Sequence, residues 1–292
     1  MFTGTYTAIV TPFKNGKIDE TAFERLVKNQ IKAGVDGIVP VGTTGESPTV
    51  DTEEHIHIIA LAIKFAAGKV KILAGTGANA TAEAIHLTRE AEKLGADGSL
   101  QVAPYYNKPT QEGLFQHFCE IARNTKLPLV LYSIPGRCGV EIGVDTVKRL
   151  AAACKNIVGI KEAGGSCDRV SQLRAALGSR FEILSGDDSL TVPFMSVGAQ
   201  GVISVASNVI PREVSQMVRA YASGDAKKAL QFHQKFYPVF KDLFIETNPV
   251  PVKAALAMLG QIEEEYRLPL VPMAPKNRET LRATLKSCGV LK

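Results

Sequence analysis

Short apolar segments, each ending in a turn, alternate with helical segments along most of this 292-residue chain. Each of the eight segments is rich in β-branched or other apolar residues and precedes Gly, Pro or polar residues typical of turns. The eight segments are Tyr6–Val10, Gly37–Val41, Val70–Ala74, Gly98–Ala103, Leu129–Tyr132, Ile157–Lys161, Phe181–Leu184 and Gly201–Val205. Between them, segments such as Thr21–Ala33 and Thr81–Leu94 carry apolar residues at the spacing of an amphipathic helix.

Eight strand–helix units predict an α/β protein with a closed (β/α)8 TIM barrel of parallel strands. A doubly wound open sheet is the alternative, but eight near-continuous units fit a closed barrel better. After Ala222 the strand signals end, and Asp225–Glu246, Val250–Leu259 and Lys276–Leu285 are predicted helices. We therefore expect a barrel of residues 1–224, followed by a C-terminal helical domain of residues 225–292 that serves packing or an interface.

Charge and composition argue against several classes of protein. The net charge is only +5, Trp is absent and the basic residues are scattered, so nucleic-acid binding is not expected. Five cysteines without a CxxC pair favour free thiols in a reducing compartment. Because we recognise no signal peptide and no apolar segment long enough for a bilayer, we predict a cytoplasmic protein without membrane contact.

The sixth strand-like segment ends in Lys161, where TIM barrels carry their chemistry. Side-chain alternation predicts that Ile157, Gly159 and Lys161 share one face, and in a covered strand Lys161 points inward. Burial lowers the pKa of an ammonium, and the neutral amine can attack a carbonyl to form a Schiff base. Gly159, one layer beneath, would leave room for a small substrate. The alternative is that Lys161 extends its amine into solvent.

Other polar residues follow the predicted strands and are expected at the same mouth of the barrel. A phenol near hydroxyls can relay protons, and a guanidinium can bind a carboxylate through two parallel hydrogen bonds. Amides of Gly-rich turns can bind a second carboxylate. The residues at these strand ends are Gly42-Thr43-Thr44-Gly45-Glu46, Tyr105, Tyr106, Tyr132, Arg137, Gly186 and Ile203.

Three further patterns favour structural roles. The segment Gly75–Ala80 follows a strand like a dinucleotide-binding fingerprint, but Gly-rich turns recur throughout this chain. His55 and His57 are two residues apart on a predicted helix and cannot be joint metal ligands. Asp187-Asp188 could bind a metal, but Asp before a helix more often caps it. No metal site is therefore predicted.

These motifs resemble the dihydrodipicolinate synthase family, one of the pyruvate-dependent aldolases that form a lysine Schiff base and include N-acetylneuraminate lyase. The resemblance covers the whole chain, from Phe2-Thr3-Gly4 to the helical C-terminus. The specific motifs are Ala8–Pro12, Gly42–Glu46, Pro104–Asn107, Tyr132–Arg137, Gly159–Glu162 and Asn248–Lys253.

The resemblance implies catalytic roles for four residues. Lys161 would form the imine with pyruvate, and Tyr132 would be the acid–base phenol. Tyr132 would be linked through Thr43 to Tyr106, which a neighbouring subunit would contribute. A homotetramer built as a dimer of dimers is implied, and neither a metal nor an organic cofactor is required.

The resemblance also implies substrate-binding residues. Thr44 would bind the pyruvate carboxylate, while Gly186 and Ile203 would shape that pocket. Arg137 would bind the carboxylate of L-aspartate 4-semialdehyde. The enamine would attack this aldehyde, and ring closure would give 4-hydroxy-tetrahydrodipicolinate on the route to lysine and diaminopimelate. The family usually has Asn and Thr where this chain has Ser133 and Cys138, and both replacements are small.

Some family members are inhibited by lysine at a dimer-interface pocket, and this chain keeps part of that pattern. Glu83 and Asn79 could hold a zwitterionic amino acid, although Glu83 could equally be a first-turn helix acid. Thr52 stands where inhibited enzymes often carry His, and Pro48 also differs. The sequence therefore does not decide whether lysine inhibits this protein. The matching positions are Pro48, Thr52, His55, Gly77, Asn79, Glu83 and Tyr105.

Rival functions remain within and outside this class. N-acetylneuraminate lyases carry other residues at the position of Arg137, but some sugar-acid aldolases keep an Arg there. A non-catalytic pyruvate-binding paralogue is a rival from another class. Binding alone would not need the amine of Lys161 and a phenol relay, which argues against that paralogue.

Overall fold

The computed structural model describes all residues from Met1 to Lys292 and confirms the predicted (β/α)8 barrel. The strands are β1 Gly4–Ala8, β2 Phe13–Lys14, β3 Lys17–Ile18, β4 Gly37–Val39, β5 Lys71–Gly75, β6 Gly98–Val102, β7 Leu129–Ser133, β8 Ile157–Glu162, β9 Glu182–Ser185 and β10 Gly201–Ser204. β2 and β3 form a small antiparallel hairpin, and the other eight strands form the closed barrel. β1 pairs in parallel with both β10 and β4, which completes the ring.

Helices surround the barrel and continue beyond it. They are α1 Glu20–Ala33, α2 Thr52–Ala66, α3 Thr81–Leu94, α4 Gln111–Arg123, α5 Pro135–Cys138, α6 Val144–Ala153, α7 Cys167–Leu177, α8 Thr191–Ser196, α9 Pro211–Ala222, α10 Ala226–Asp242, α11 Val250–Met258 and α12 Pro275–Ser287. The side chain of Asp51 caps α2 together with Glu54. In none of these helices is the apolar stretch long enough to cross a bilayer.

Two apolar clusters fill the barrel and the space around it, so that polar side chains can form a site only at the ends of the barrel. A cluster of 64 buried residues lies between the strands and the helices. A second cluster of 10 buried residues, which includes Phe2, Tyr6 and Ile203, fills the interior. Parallel strands covered on both faces in this way are almost continuously apolar, which explains the strand-like segments in the sequence.

The strand that carries Lys161 departs from the predicted alternation of faces. Leu129 pairs with Ile157 and Val130 pairs with Gly159, so Val158 is an extra residue in a β-bulge. Ile157 therefore joins Ile160 in the outer cluster, whereas Val158 packs against the interior cluster. The prediction that Ile157 and Lys161 share a face is wrong, because the bulge shifts the alternation between them.

Gly159 does not open space for a substrate, contrary to the prediction. A Cβ atom at this position would come within 2.7 Å of the carbonyl oxygen of Glu182 on the adjacent strand. The glycine instead permits close approach of the two strands.

The C-terminal helices share the core of the barrel. The outer cluster contains Phe236 of α10, Leu256 of α11 and Leu281 of α12 together with residues of the barrel helices. This continuous core crosses the predicted boundary between residues 224 and 225. Side chains of the C-terminal helices are therefore part of the same core as the barrel.

Candidate active site

A cavity of about 220 Å³ opens at the carboxyl ends of the barrel strands, where the sequence predicts the chemistry. Its wall comes from residues of β5, β6 and β7 and from the loops that follow β4, β5, β6 and β7. The lining residues are Val41, Gly42, Thr43, Ser47, Pro48, Gly75, Gly77, Leu100, Val102, Tyr105, Tyr132, Ile134, Arg137 and Cys138. Apolar residues and a few polar groups on one wall are typical of a small-molecule site.

Lys161 lies beside this cavity and is almost fully buried, with 6% of its surface exposed. It pairs with Tyr132 in the strand register, and its Nζ atom lies 4.1 Å from the centroid of the Tyr132 ring. Burial lowers the pKa of Lys161 to about 7, against the opposing effect of the Asp188 carboxylate. A large fraction of this amine is therefore neutral, and hence nucleophilic, near pH 7.

Gly186 makes room for the lysine side chain. A Cβ atom at residue 186 would come within 3.0 Å of Lys161 Cε and within 2.7 Å of Ala163 Cβ. Ile203, the other residue expected to shape the pocket, is fully buried in the interior cluster. Both residues thus lie in or next to the barrel interior, and Gly186 contacts the stem of Lys161 directly.

Tyr132 is a buried phenol that faces Thr43. Burial raises the pKa of Tyr132 to about 12, and the side chain of Thr43 acts in the opposite direction. Thr43 begins a single 3-10 turn, Thr43–Gly45, which follows β4. A phenol that stays protonated and contacts a hydroxyl can donate a proton and be re-protonated through that hydroxyl.

Thr44 and Arg137 are joined through Asn248, which the sequence pattern does not predict as part of the site. The Nδ2 atom of Asn248 donates to Thr44 Oγ1 at 3.1 Å, and Arg137 Nη2 donates to the Asn248 carbonyl oxygen at 3.0 Å. Asn248 comes from the C-terminal region, far along the chain from both partners. Asn248 begins the family motif Asn248–Lys253, but that motif assigns it no role at the site, and a polar residue in an apolar, proline-containing segment is also typical of a turn.

Tyr106 does not reach Tyr132 within one chain. Its side chain is 92% exposed, and its backbone has the left-handed φ of 73°, which is rare for an aromatic residue. The preceding residue, Tyr105, lines the cavity instead. Lys161, Tyr132, Thr43, Thr44 and Arg137 are therefore brought together, whereas Tyr106 is not.

Cys138 and Ser133, the two positions at which the family pattern differs, are both buried. Burial raises the pKa of the Cys138 thiol to about 11, so the thiol stays protonated and is a weak nucleophile at neutral pH. Ser133 Oγ accepts a hydrogen bond from the Ile142 amide at 3.4 Å. The Ser133 hydroxyl thus bonds the segment between α5 and α6, and Cys138 is the last residue of α5, the helix that carries Arg137.

Asp188, which the sequence predicts as a helix cap, has a buried carboxylate. This prediction is wrong, because α8 begins only at Thr191 and has no side-chain cap. The carboxylate accepts hydrogen bonds from Ser204 Oγ and from the amides of Val205 and Ala206 at 3.0 and 2.9 Å. Its negative charge favours the protonated form of Lys161 and so limits the fall of that pKa. No group of three or more His, Cys, Asp and Glu side chains could hold a metal ion.

A second cavity, of about 320 Å³, adjoins the first, and the two share Ser47, Pro48, Gly77 and Tyr105. Thr52, His55 and Glu83 also line it, so the structure brings together most of the residues matched to a lysine pocket. Asn79 is absent from the wall but donates from Nδ2 to the Tyr105 carbonyl oxygen at 3.2 Å.

His55 is held by the backbone within this second cavity. Its Nε2 atom lies 2.7 Å from the Gly75 carbonyl oxygen, and burial lowers the pKa of the imidazole. His57 is exposed and pairs with Glu20, so the two histidines point apart as predicted.

Comparisons with known proteins agree over the full chain. A family model described as the dihydrodipicolinate synthetase family matches residues 1–288. The 4-hydroxy-tetrahydrodipicolinate synthase of Aquifex aeolicus is 52% identical over 286 residues, covering 98% of this chain and 97% of the relative.

Solved structures give the same result. The 4-hydroxy-tetrahydrodipicolinate synthase of Methylacidiphilum fumariolicum SolV matches with a TM-score of 0.98 and 62% identity, covering 99% of this chain and 96% of that one. A synthase from Cyanidioschyzon merolae, solved with lysine bound, matches with a TM-score of 0.97 and 40% identity over 99% of both chains.

Proposed function

Since the chain belongs to the dihydrodipicolinate synthetase family, we propose that it condenses pyruvate with L-aspartate 4-semialdehyde to give 4-hydroxy-tetrahydrodipicolinate. The product lies on the route to lysine and diaminopimelate. The observation that carries the chemistry is the buried amine of Lys161, with its pKa lowered to about 7, packed against the phenol of Tyr132. The five free cysteines support a location in the reducing cytoplasm.

In the first half of the reaction, Lys161 acts as the nucleophile. Its neutral amine attacks the keto carbon of pyruvate, and loss of water from the carbinolamine gives an imine. The hydroxyl and amide groups of the Thr43–Gly45 turn, Thr44 above all, bind the pyruvate carboxylate. Loss of a proton from the methyl group then converts the imine to an enamine, whose terminal carbon is nucleophilic.

Tyr132 supplies the proton transfers that these steps require. The phenol protonates the leaving hydroxyl of the carbinolamine, and Thr43 lies in position to return a proton to it. A phenol with a pKa raised to about 12 keeps its proton at neutral pH and so acts first as an acid.

In the second half, the enamine carbon forms a bond to the aldehyde carbon of the semialdehyde, and the aldehyde oxygen takes up a proton. The amino group of that substrate then attacks the imine carbon, and the amine of Lys161 leaves as the ring closes. Arg137, whose guanidinium lines the cavity, binds the carboxylate of the semialdehyde. Arg137 therefore favours a substrate aldehyde that bears a carboxylate over a neutral sugar aldehyde.

The complete site is proposed to need a second subunit within a homotetramer. The exposed aromatic ring of Tyr106, on a strained backbone, supports its insertion into a neighbouring subunit. Leu230, Tyr237 and Phe244 are exposed apolar side chains at seven-residue spacing along and just beyond α10. Such a stripe supports a second interface and hence a dimer of dimers.

The second cavity is proposed to bind L-lysine. Glu83 offers a carboxylate to the ammonium groups of lysine, and Tyr105 forms part of the wall that this cavity shares with the active-site cavity. A ligand in contact with Tyr105 would thus act on the active-site wall directly.

Trapping of the imine tests the proposal. Incubation with pyruvate and borohydride should attach a reduced three-carbon adduct to the peptide that contains Lys161, as measured by mass spectrometry. Turnover with L-aspartate 4-semialdehyde should exceed turnover with N-acetylmannosamine or sugar aldehydes by orders of magnitude. Absence of the adduct would exclude the Schiff-base mechanism, whereas the reverse order of aldehydes would reassign the substrate.

A further inference from the structure

A buried ion pair joins the loop after β4 to the C-terminal helices. Glu46 and Lys253 both have fully buried side chains, and Lys253 Nζ lies 2.5 Å from Glu46 Oε1. The second carboxylate oxygen accepts a bond from the Arg267 amide at 3.4 Å. The ammonium group also lies 4.4 Å from the centroid of the Phe13 ring. The fully buried pair thus contacts groups from distant parts of the chain.

Glu46 is directly continuous with the turn that carries Thr43 and Thr44. Its amide donates to the Thr43 carbonyl oxygen at 3.2 Å, and its backbone adopts the left-handed φ of 57°. A non-glycine residue in this region is strained and persists only where its surroundings hold it. The ion pair with Lys253 is one such constraint, because it fixes the side chain of Glu46.

A second contact from the same C-terminal segment reaches the same turn. Asn248 donates to Thr44 Oγ1 at 3.1 Å and lies two residues before α11, the helix that carries Lys253. Helix α11 and the residues just before it therefore hold the turn at both Thr44 and Glu46.

Stability alone does not explain this arrangement. Burying two charges costs desolvation free energy, and an apolar pair of similar size is often at least as stabilising. An ion pair differs from an apolar contact in that it specifies one geometry, with a defined distance and direction. The position that it specifies here is that of the turn with the hydroxyls of Thr43 and Thr44.

We propose that Glu46 and Lys253 are positioning residues that fix the Thr43–Gly45 turn for binding the carboxylate of the keto-acid substrate. The inference rests on the proposed function, because it assumes that this turn binds pyruvate. It assigns to the C-terminal region a part in substrate binding that acts through this turn, in addition to packing.

Three variants separate positioning from stability. Glu46→Gln and Lys253→Met each leave one buried charge unpaired, and each should lower the unfolding temperature by about 10 °C. The double variant E46Q/K253M removes both charges, and its unfolding temperature should return to within a few degrees of the wild-type value. If the pair positions the turn, the double variant should still show a KM for pyruvate raised about tenfold, with a nearly unchanged KM for the aldehyde.

The matched control removes another ion pair of the C-terminal region. Arg278 and Glu264 are 2.7 Å apart and do not contact the turn, so R278M/E264Q should keep the wild-type KM for pyruvate. A double variant with wild-type stability and wild-type KM for pyruvate would overturn the inference. Failure of the wild-type protein to form the borohydride-trapped adduct would instead overturn the proposed function, so the two failures are distinguishable.

Discussion

Lys161 and Tyr132 are direct partners in the register of β8 and β7, and the lysine Nζ atom lies 4.1 Å from the centroid of the phenol ring. Because backbone hydrogen bonds between two central strands fix this relationship, amine and phenol are held without help from a mobile loop. The same burial acts on both groups in opposite senses. It lowers the pKa of Lys161 to about 7 and raises that of Tyr132 to about 12, so a neutral base and a neutral acid coexist.

Imine formation should increase with pH through the pKa of Lys161. With a pKa of about 7, the neutral fraction of the amine rises as the pH increases from 6 to 8, by roughly tenfold. The measurement is the initial rate of adduct formation with pyruvate and cyanoborohydride at a series of pH values, with unfolding followed in parallel. A rate that does not change over this range would contradict the lowered pKa.

Asp188→Asn should shift the pH profile of adduct formation to lower pH. The Asp188 carboxylate raises the pKa of Lys161, so its removal should lower that pKa further and move the midpoint to lower pH. Asp187→Asn is the matched control, since Asp187 bonds Ser189 within its own turn. A midpoint that moves equally in both variants would argue against a specific effect of Asp188.

Tyr132→Phe should separate binding from proton transfer. Loss of the phenol hydroxyl should lower kcat by about 10²- to 10⁴-fold, the usual contribution of a positioned acid or base. Pyruvate should still be trapped on Lys161, only more slowly, whereas Lys161→Ala should give no adduct. Steady-state kinetics and adduct mass spectrometry measure the two effects, and a Tyr132→Phe variant with wild-type kcat would remove the phenol from the mechanism.

Activity should be restored when two inactive variants are mixed, if Tyr106 is contributed by a neighbour. A dimer of one Tyr106→Phe subunit and one Lys161→Ala subunit would contain one site with both wild-type residues. Each variant alone should have greatly reduced kcat, and unfolding and refolding the two together should recover a substantial part of the activity. Mixtures with no more activity than the sum of the separate variants would place Tyr106 outside a shared site.

The barrel could be predicted from the sequence because its regularity is local. Parallel strands covered on both faces give apolar segments such as Leu129–Ser133, and helix starts such as Asp51 have clear capping signals. The bulge at Val158 could not be predicted, because it depends on the register with the neighbouring strand.

The polar contacts around the site could not be predicted either, because they also depend on residues that are distant in the sequence. Lys161, Tyr132 and Thr43 lie at or just after the ends of strands, where the fold alone brings them together. Asn248 and Lys253 contact Thr44 and Glu46 across about 200 residues of chain, and no local periodicity indicates such contacts. Asp188 lies between a strand and a helix, where a helix cap is expected. Its carboxylate instead accepts hydrogen bonds from the backbone amides that follow another strand.

L-Lysine should bind to the second cavity in a manner that depends on Glu83. Calorimetric titration with L-lysine should show binding, and Glu83→Gln should weaken it by about tenfold or more, because a charge-assisted hydrogen bond is lost. Pyruvate trapping by Glu83→Gln should remain at the wild-type level, since Glu83 lines only the second cavity. Equal affinity of the two proteins for lysine would exclude Glu83 from the binding site, and absence of binding would exclude lysine as the ligand.

Acid should destabilise the fold in part through His117, which is buried on α4. Its Nδ1 atom bonds Thr81 Oγ1 at 2.9 Å, while its Nε2 atom is buried without a partner. Burial lowers the pKa of His117 from 6.5 to about 4, so the folded state disfavours the protonated ring.

The contribution of His117 to stability is therefore fully present above pH 6.5 and is lost as the pH falls toward 4. From this shift we expect a loss of up to about 3 kcal/mol in the free energy of unfolding. Urea unfolding at a series of pH values should show a shallower acid dependence for His117→Gln than for wild type. If His117→Gln follows the wild-type curve between pH 6.5 and 4, proton uptake by His117 is not what destabilises the fold in acid.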